Sequence, residues 1–401
     1  MNNRLLPTIK YAWLQGSFWM SFCIVFAYAS MFLLSRGFSN SAIGLIIAVA
    51  GVISVLLQPV VAGLADRSRR FSLRFLLMFL SVCMLLDAAV LLVPGLYFWC
   101  NALFYGILLA TLQIMTPLVN AIGMECINRG IPVNFGLARG IGSLSYALIS
   151  FLAGMIIAEF STTAIPVLIL LCYLFVFLAA RCFLFRSAEE EKEANAIHTE
   201  KQDKEEQNFS FFKVYRKFFV LLTGISLLFI CHNILSNYLF QIMSYYGGGS
   251  REMGIAAGIA ATLELPTMAA FSFLIRKMSS STLLKISAIF FTIKSCMTLF
   301  AAGVSGIYLA QTAQMFGFAL FIPASVYYTN MLMRPCDRAK GQALMTATNT
   351  IGSVFGSLIG GFLLDGIGVP AMLALCAVVS ALGMILVFLT VTGSDKETSP
   401  L

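Results

Sequence analysis

Charge is what this sequence has least of. Of its 401 residues only 11% are Asp, Glu, Lys or Arg, against about 25% in a soluble chain of similar size. So few charges cannot coat a water-facing surface, and the main solvent is lipid. Histidine is scarcer still. His198 and His232 are the only two, and no Cys/His group has metal-ligand spacing, so no metal site is expected. None of the ten cysteines forms a Cys-x-x-Cys pair; nearly all lie in apolar runs, where cysteine acts as a small hydrophobe. The glycine-rich segments lack a Gly-Lys-Ser/Thr ending, so no phosphate-cradling loop is present. An enzyme is not expected, nor any cofactor. Work done by this chain would draw on a proton or Na+ gradient, not on ATP. The net charge of +8 does not indicate nucleic acid, because the basic residues are scattered through short loops and build no continuous face.

What fills the chain instead is apolar runs, with a mean hydropathy of +0.90. A bilayer-crossing helix needs about 20 apolar residues. Twelve such runs are read at 14–35, 42–64, 73–94, 97–121, 137–158, 162–184, 217–246, 253–275, 282–303, 306–333, 341–364 and 369–393, called spans 1 to 12 below. The runs lack the period-2 alternation of a membrane barrel. The first follows two basic residues, Arg4 and Lys10, and no small-residue cleavage site follows it, so it reads as a retained helix. Lys and Arg gather in alternate connections: Arg67, Arg69, Arg70 and Arg74 after span 2, Arg129 after span 4, Arg276 and Lys277 after span 8, and Arg334, Arg338 and Lys340 after span 10. The opposite connections hold only Arg36 and Arg251. The positive-inside bias puts both termini in the cytoplasm, as an even number of spans requires, in a multi-pass protein of the cell's inner membrane.

Composition changes once, at RSAEEEKEANAIHTEKQDKEEQN, residues 186–208, a charged stretch free of aromatics that reads as a solvated linker. The expected architecture is therefore an all-α membrane protein: twelve transmembrane helices in two six-helix bundles, residues 1–185 and 212–401, joined by a cytoplasmic linker at 186–211. The halves echo one another. IGLIIAVAGVISVLLQPVVAGLADR (43–67) and MGIAAGIAATLELPTMAAFSFLIRK (253–277) both run from a glycine through a proline to a charged turn, and RGIGSLSYALISFLAG (139–154) echoes NTIGSVFGSLIGGFLLD (349–365). Corresponding positions of two six-span repeats behave this way.

Within lipid an ionisable side chain is costly and marks a functional hypothesis. Four stand at depth: Asp87, His232, Glu264 and Lys294. Arg139, Ser143 and Tyr146 follow at intervals of four and three on one face of span 5. Arginine can bind hydroxyl oxygens in pairs, and an aromatic ring can pack on the C–H face of a sugar. In span 7, Asn233, Ser236, Asn237 and Gln241 form a polar stripe that faces either a cavity or another helix. Gln113, Asn120 and Gln311 add polar groups in spans 4 and 10. For each, the plain alternative is a packing or helix-joining role; for Asp87 a packing carboxylate is the better expectation.

The sequence also resembles a family. GLADRSRRF (63–71) is similar to the loop signature of the major facilitator superfamily, a glycine, an Asp-Arg pair and trailing basic residues, with the usual following glycine replaced by Ser68-Arg69. Gly63 would permit close helix packing, Asp66 would accept hydrogen bonds from a neighbouring helix end, and Arg67 and Arg70 would hold the cytoplasmic face. FWM (18–20), LLQPVVAGLADR (56–67) and FGLARGIGSLSYA (135–147) resemble, in that order, the lactose permease branch of oligosaccharide:proton symporters. The resemblance implies that Glu264 corresponds to a carboxylate that binds sugar and links it to the proton, that Lys294 replaces an arginine of span 9, that Arg139 is the sugar-binding arginine, and that Tyr146 replaces a stacking tryptophan. It fails at other positions. Carboxylates expected in span 7 are amides here, a histidine and a glutamate of span 10 become Gln314 and Gly317, a lysine of span 11 becomes Asn349, and a span 4 carboxylate aligns with Asn120 or Ala121.

These readings favour a secondary transporter that imports a small neutral polar solute — sugar, oligosaccharide or nucleoside — with Arg139, Ser143, Tyr146, Asn120, Asn233, Asn237, Gln241, Glu264 and Gln314 binding it, and Glu264, Lys294 and Asp87 coupling it to an ion. Its partners are the solute and the bilayer, and it works as a monomer. The alternative is a drug/proton antiporter of the same fold. That reading lacks its expected proline: span 5 has Gly136, Gly140 and Gly142 without one. A non-transporting sensor would need neither Glu264 nor Lys294 in the membrane.

Overall fold

A computed structural model describes residues 6–67, 72–182 and 211–391. Nearly all of the expected linker, and Arg70 of the loop signature, lie outside the described residues. The elements are helical throughout the described chain. Among the described residues ten helices are long and apolar enough to cross a membrane, or eleven when the bent pair Leu6–Ala27 and Ala29–Ser35 is one span. The last helix, Arg338–Thr390, has 53 residues. At 1.5 Å per residue it would be about 80 Å long, more than twice a bilayer's hydrocarbon thickness. Gly368 divides it with φ +75, a left-handed conformation that glycine adopts without a steric penalty. Spans 11 and 12 therefore lie on either side of Gly368, and the expected set of twelve is accommodated.

Most spans are continuous, but three are broken along their length. Span 1 runs as Leu6–Phe22, a π-helical turn Cys23–Ala27, and Ala29–Ser35. Span 7 runs as Arg216–Asn237 and Leu239–Tyr245, interrupted at Tyr238. Span 10 runs as Val304–Thr312, a 3-10 turn Ala313–Met315, and Phe318–Leu332. A π-helical turn inside an α-helix is a frequent mark of a functional site. Broken helices at membrane depth are tolerated where the freed backbone lines a cavity or is buried in protein.

The two halves meet along two seams, span 2 (Asn40–Arg67) on span 11 and span 5 (Phe135–Phe160) on span 8 (Ser250–Lys277). Each seam is tight at the end away from the basic connections. A Cβ at Gly44 would come under 3.0 Å from the carbonyl of Ser357, and one at Gly254 equally close to the carbonyl of Ser150. Gly361 and Gly154 meet Asn40 and Ser250 across the same seams. Hydrogen bonds reinforce this end. Asp365 accepts from the backbone N and side-chain Nδ2 of Asn40 at 3.1 and 2.8 Å, and from the backbone N of Ser41 at 2.7 Å. Gln241 Nε2 donates to Asn40 Oδ1 at 3.0 Å, and Ser150 Oγ donates to the carbonyl of Gly254 at 3.1 Å.

Toward the basic end the seams loosen. Gly140 approaches only a Leu265 methyl at 3.9 Å, and a Cβ at Gly63 would meet no described atom within 4 Å. Gly63 makes no close helix contact among the described residues in this state. The helix carries Asp66 and Arg67 at its last turn. The span 11 glycines do serve close packing: Gly352, Gly356 and Gly360 sit on Phe229, Ile230 and Tyr238 of span 7.

Candidate solute site

Between the halves lies a cavity of about 410 Å³, lined by spans 1, 4, 5, 7, 8, 9, 10 and 11. That volume is in the range of small-molecule sites. All three broken spans face it.

On the side of the first repeat, Arg139 donates from Nη1 to Ser143 Oγ at 3.0 Å, the contact its one-turn spacing allows. Its guanidinium carbon lies 4.0 Å from the centroid of the Trp19 ring. Trp19 is itself fixed: its Nε1 donates to Gln15 Oε1 at 2.9 Å, and Gln15 Nε2 donates to Tyr11 Oη at 2.6 Å and Asn120 Oδ1 at 3.2 Å. Phe22, just before the π-helical turn, and Phe26, within it, continue the aromatic strip, with centroids 5.0 Å from Trp19 to Phe22 and 5.4 Å from Phe22 to Phe26. Tyr146 also lines the cavity.

On the side of the second repeat, Glu264 and Lys294 do not touch. Gln314 joins them. Lys294 Nζ donates to Gln314 Oε1 at 2.7 Å, and Gln314 Nε2 donates to Glu264 Oε1 at 3.0 Å. Lys294 is 4% exposed, so an acceptor for its ammonium is obligatory. Gln314 can reach both partners because span 10 breaks into a 3-10 turn at that residue. In span 7, Asn233 Nδ2 donates to the carbonyl of Phe229 and Asn237 Nδ2 to Ser357 Oγ, both at 2.8 Å. Each amide thus gives one of its two N–H donors to protein while its residue lines the cavity.

Eight of the eleven residues assigned to solute binding or ion coupling meet here, Arg139, Ser143, Tyr146, Asn233, Asn237, Glu264, Lys294 and Gln314, and the polar Gln113, Ser236, Gln311 and Asn349 line the cavity with them. Three do not. Asn120 is turned to Gln15, Gln241 belongs to the seam through Asn40, and Asp87 on span 3 is off the cavity, one carboxylate oxygen buried without a described partner. Asn120 and Gln241 carry the same polar-in-apolar signal as Asn237, but neighbouring side chains consume it. His232, counted among the ionisable groups at depth but not among the site residues, does line the cavity and stacks on Phe318 at 5.1 Å between centroids. Trp19, Phe22 and Phe26 were missed as site residues. The available signal was their spacing of three and four on one helix face beside the FWM motif.

Two helical halves meeting in seams, broken helices at their interface and a central polar cavity fit a multi-pass membrane transporter of the major facilitator fold. The chain belongs to the MFS_1 like family, which it matches over residues 11–374. Its structure is similar to that of the nucleoside transporter NupG, with a TM-score of 0.74 at 15% identity, covering 97% of this chain and 98% of that one. It is also similar to a POT family transporter in complex with a thioalcohol-conjugated peptide (TM-score 0.66, 13% identity, 95% and 94% coverage), and to the peptide transporter POT in complex with sulfate (TM-score 0.71, 11% identity, 96% and 93% coverage). A sequence comparison with curated proteins finds no match.

Proposed function

We propose that the chain is a secondary transporter that takes up a small polar solute together with a proton by alternating access. Sugars, oligosaccharides and nucleosides are the solutes the sequence favours, and the nucleoside transporter among its structural relatives is in keeping with them. The observation that carries the reading is the Glu264–Gln314–Lys294 bridge inside a cavity walled by both repeats. A carboxylate held by a neutral amide can gain or lose a proton without breaking an ion pair, and the amide transmits the change to the lysine. Protonation neutralises Glu264 and removes the cost of desolvating that carboxylate when the halves close. On release of the proton the carboxylate again balances Lys294.

The two repeats rock about the cavity. With the basic connections cytoplasmic, the described state is shut on the outside at Gly44, Gly254 and Asp365 and loosened toward the cytoplasm. Both termini are then cytoplasmic, and the monomer contains the complete path.

The test is accumulation in proteoliposomes under an imposed pH gradient, screened over sugars, nucleosides and lipophilic cations, with Glu264→Gln beside the unaltered protein. Solute accumulates with the unaltered protein and only equilibrates with Glu264→Gln. Unchanged accumulation in the variant removes Glu264 as the proton carrier, and accumulation of lipophilic cations in exchange for protons would favour the antiporter reading.

A further inference from the structure

Arg139 and Lys294 line the cavity against one carboxylate, Glu264. The other titratable side chains on the wall are His232 and Tyr146. His232 Nδ1 is buried without a partner among the described residues. A neutral imidazole tolerates that, whereas an imidazolium has two donors to satisfy. With Glu264 ionised the wall therefore holds one positive charge in excess. Neither cation meets a carboxylate at ion-pair distance among the described residues. Lys294 is linked to Glu264 through Gln314, while Arg139, which also feels the Glu264 charge, hydrogen-bonds the Ser143 hydroxyl and lies on the face of Trp19. One carboxylate cannot balance both cations, and the charge left over is shared between them. Water can screen it while the cavity is open. Once the halves close it needs a counter-charge, and the solute is the group that arrives each cycle. Beside Arg139 the wall is the strip Trp19, Phe22, Phe26. Such a strip suits a flat ring, which can stack on it, better than a chain of hydroxyls.

We infer that the solute is a monoanion built on a flat ring, an aromatic or heteroaromatic carboxylate, with its carboxylate on Arg139 and its ring against Trp19, Phe22 and Phe26. This rests on the proton-coupled transport proposed above and departs from it in one respect, the solute's charge. The charges balance. With Glu264 protonated and the anion bound, the cavity holds one positive charge; with Glu264 ionised and no solute, it again holds one. One proton and one anion cross together, and no net charge moves. A neutral solute would instead bring a second positive charge into the closed state.

The experiment is ligand stabilisation of the purified full chain. The probes are benzoate, nicotinate and indole-3-acetate, each beside its own amide, together with cyclohexanecarboxylate, uridine and lactose. At least one ring acid is expected to bind roughly tenfold more tightly than its amide and than cyclohexanecarboxylate. Arg139→Gln removes the acid-over-amide preference and Trp19→Leu removes the ring preference. In vesicles carrying the protein the bound acid enters under a pH gradient faster than into protein-free vesicles, which its neutral form crosses unaided, and a voltage alone adds nothing to that rate. The inference is overturned if no acid binds, if amide and acid bind equally, or if uptake of the acid follows voltage. Should Arg139→Gln not fold, the acid-to-amide ratio of the unaltered protein decides alone. None of these failures touches proton coupling, which falls separately if Glu264→Gln leaves accumulation unchanged.

Discussion

Tyr28 and Tyr238 occupy equivalent places in the two repeats. Each sits at the break in the first helix of its half, and each sends its hydroxyl to a backbone carbonyl in a seam: Tyr28 to Ser150 at 2.7 Å and Tyr238 to Ser357 at 2.5 Å. Those same two carbonyls are the ones faced by Gly254 and Gly44. One arrangement, a broken helix, a tyrosine, a carbonyl and a facing glycine, is thus built twice, as expected of a repeated bundle that must seal the cavity at one end.

A side chain at either glycine cannot be absorbed by rotamer changes, because the opposing atom is backbone. Gly44→Val and Gly254→Val each disfavour the sealed state by about 1–3 kcal/mol, the usual cost of overpacking, a shift of about 5- to 150-fold in population. With native cysteines replaced and Ser236→Cys as reporter, a membrane-impermeant maleimide added from the Asn40 side should label the variants faster than the parent by that factor. Equal labelling would mean that the seam opens at no cost.

Asp365 gives the second expected outcome. Its carboxylate accepts from two backbone N–H groups at the start of span 2 and from the side chains of Asn40 and Ser41, where a negative charge is also favoured by the helix dipole. Asp365→Ala leaves these donors to water and weakens the same seal by about 1–3 kcal/mol. Asp365→Asn retains an acceptor and should fall between. The same labelling assay ranks them, and the order parent, Asn, Ala is the check.

The spans were legible because bilayer crossing needs one property, an apolar run of sufficient length, and that property is local. What a polar residue in such a run is for was only half legible. Asn237 and Gln241 lie one turn apart on the same helix and look alike in sequence. The first borders the cavity and the second clasps Asn40 in the other repeat. The difference lies entirely in what the neighbouring helix presents, which one sequence does not contain. The breaks in spans 1, 7 and 10 were invisible for a related reason. Only the span 10 break carries a glycine, Gly317; the backbone at Tyr28 and Tyr238 departs from helix as well, with no residue type to mark it, and the π-helical turn CIVFA is ordinary helix by composition. Glu264 and Lys294 stood out in the sequence as charges at depth, but the residue that joins them, Gln314, sits at the break in span 10.

Gln314 is accordingly the residue whose replacement should be most informative. Gln314→Leu removes the acceptor of a lysine that is 4% exposed and the donor to Glu264. Stranding a buried charged group costs about 1–3 kcal/mol or more, so thermal unfolding in detergent should move down and solute uptake should be lost. Gln314→Glu keeps an acceptor for Lys294 but sets a second carboxylate beside Glu264, where two like charges resist ionising together. It should unfold at a temperature closer to the parent's yet show a pH profile of uptake displaced from the parent's. If both variants unfold and transport alike, the bridge is packing and not part of the coupling.

Trp19 can be separated from Arg139 by the same logic. Its ring lies under the guanidinium at 4.0 Å while its Nε1 is fastened to Gln15. A cation–π contact is worth about 0.5–2 kcal/mol depending on desolvation, so Trp19→Phe, which keeps a ring and loses the hydrogen bond, should weaken solute binding by about 2- to 5-fold, at the lower end of that range. Trp19→Leu, which loses both, should weaken it by up to about 30-fold. Gln15→Leu leaves the ring in place and frees it to turn, and should resemble Trp19→Phe if the role of Gln15 is to hold the indole. Isothermal titration or competition binding across the three variants gives the comparison. A Gln15→Leu protein that binds as poorly as Trp19→Leu would show that the orientation of the ring, more than its presence, sets the site.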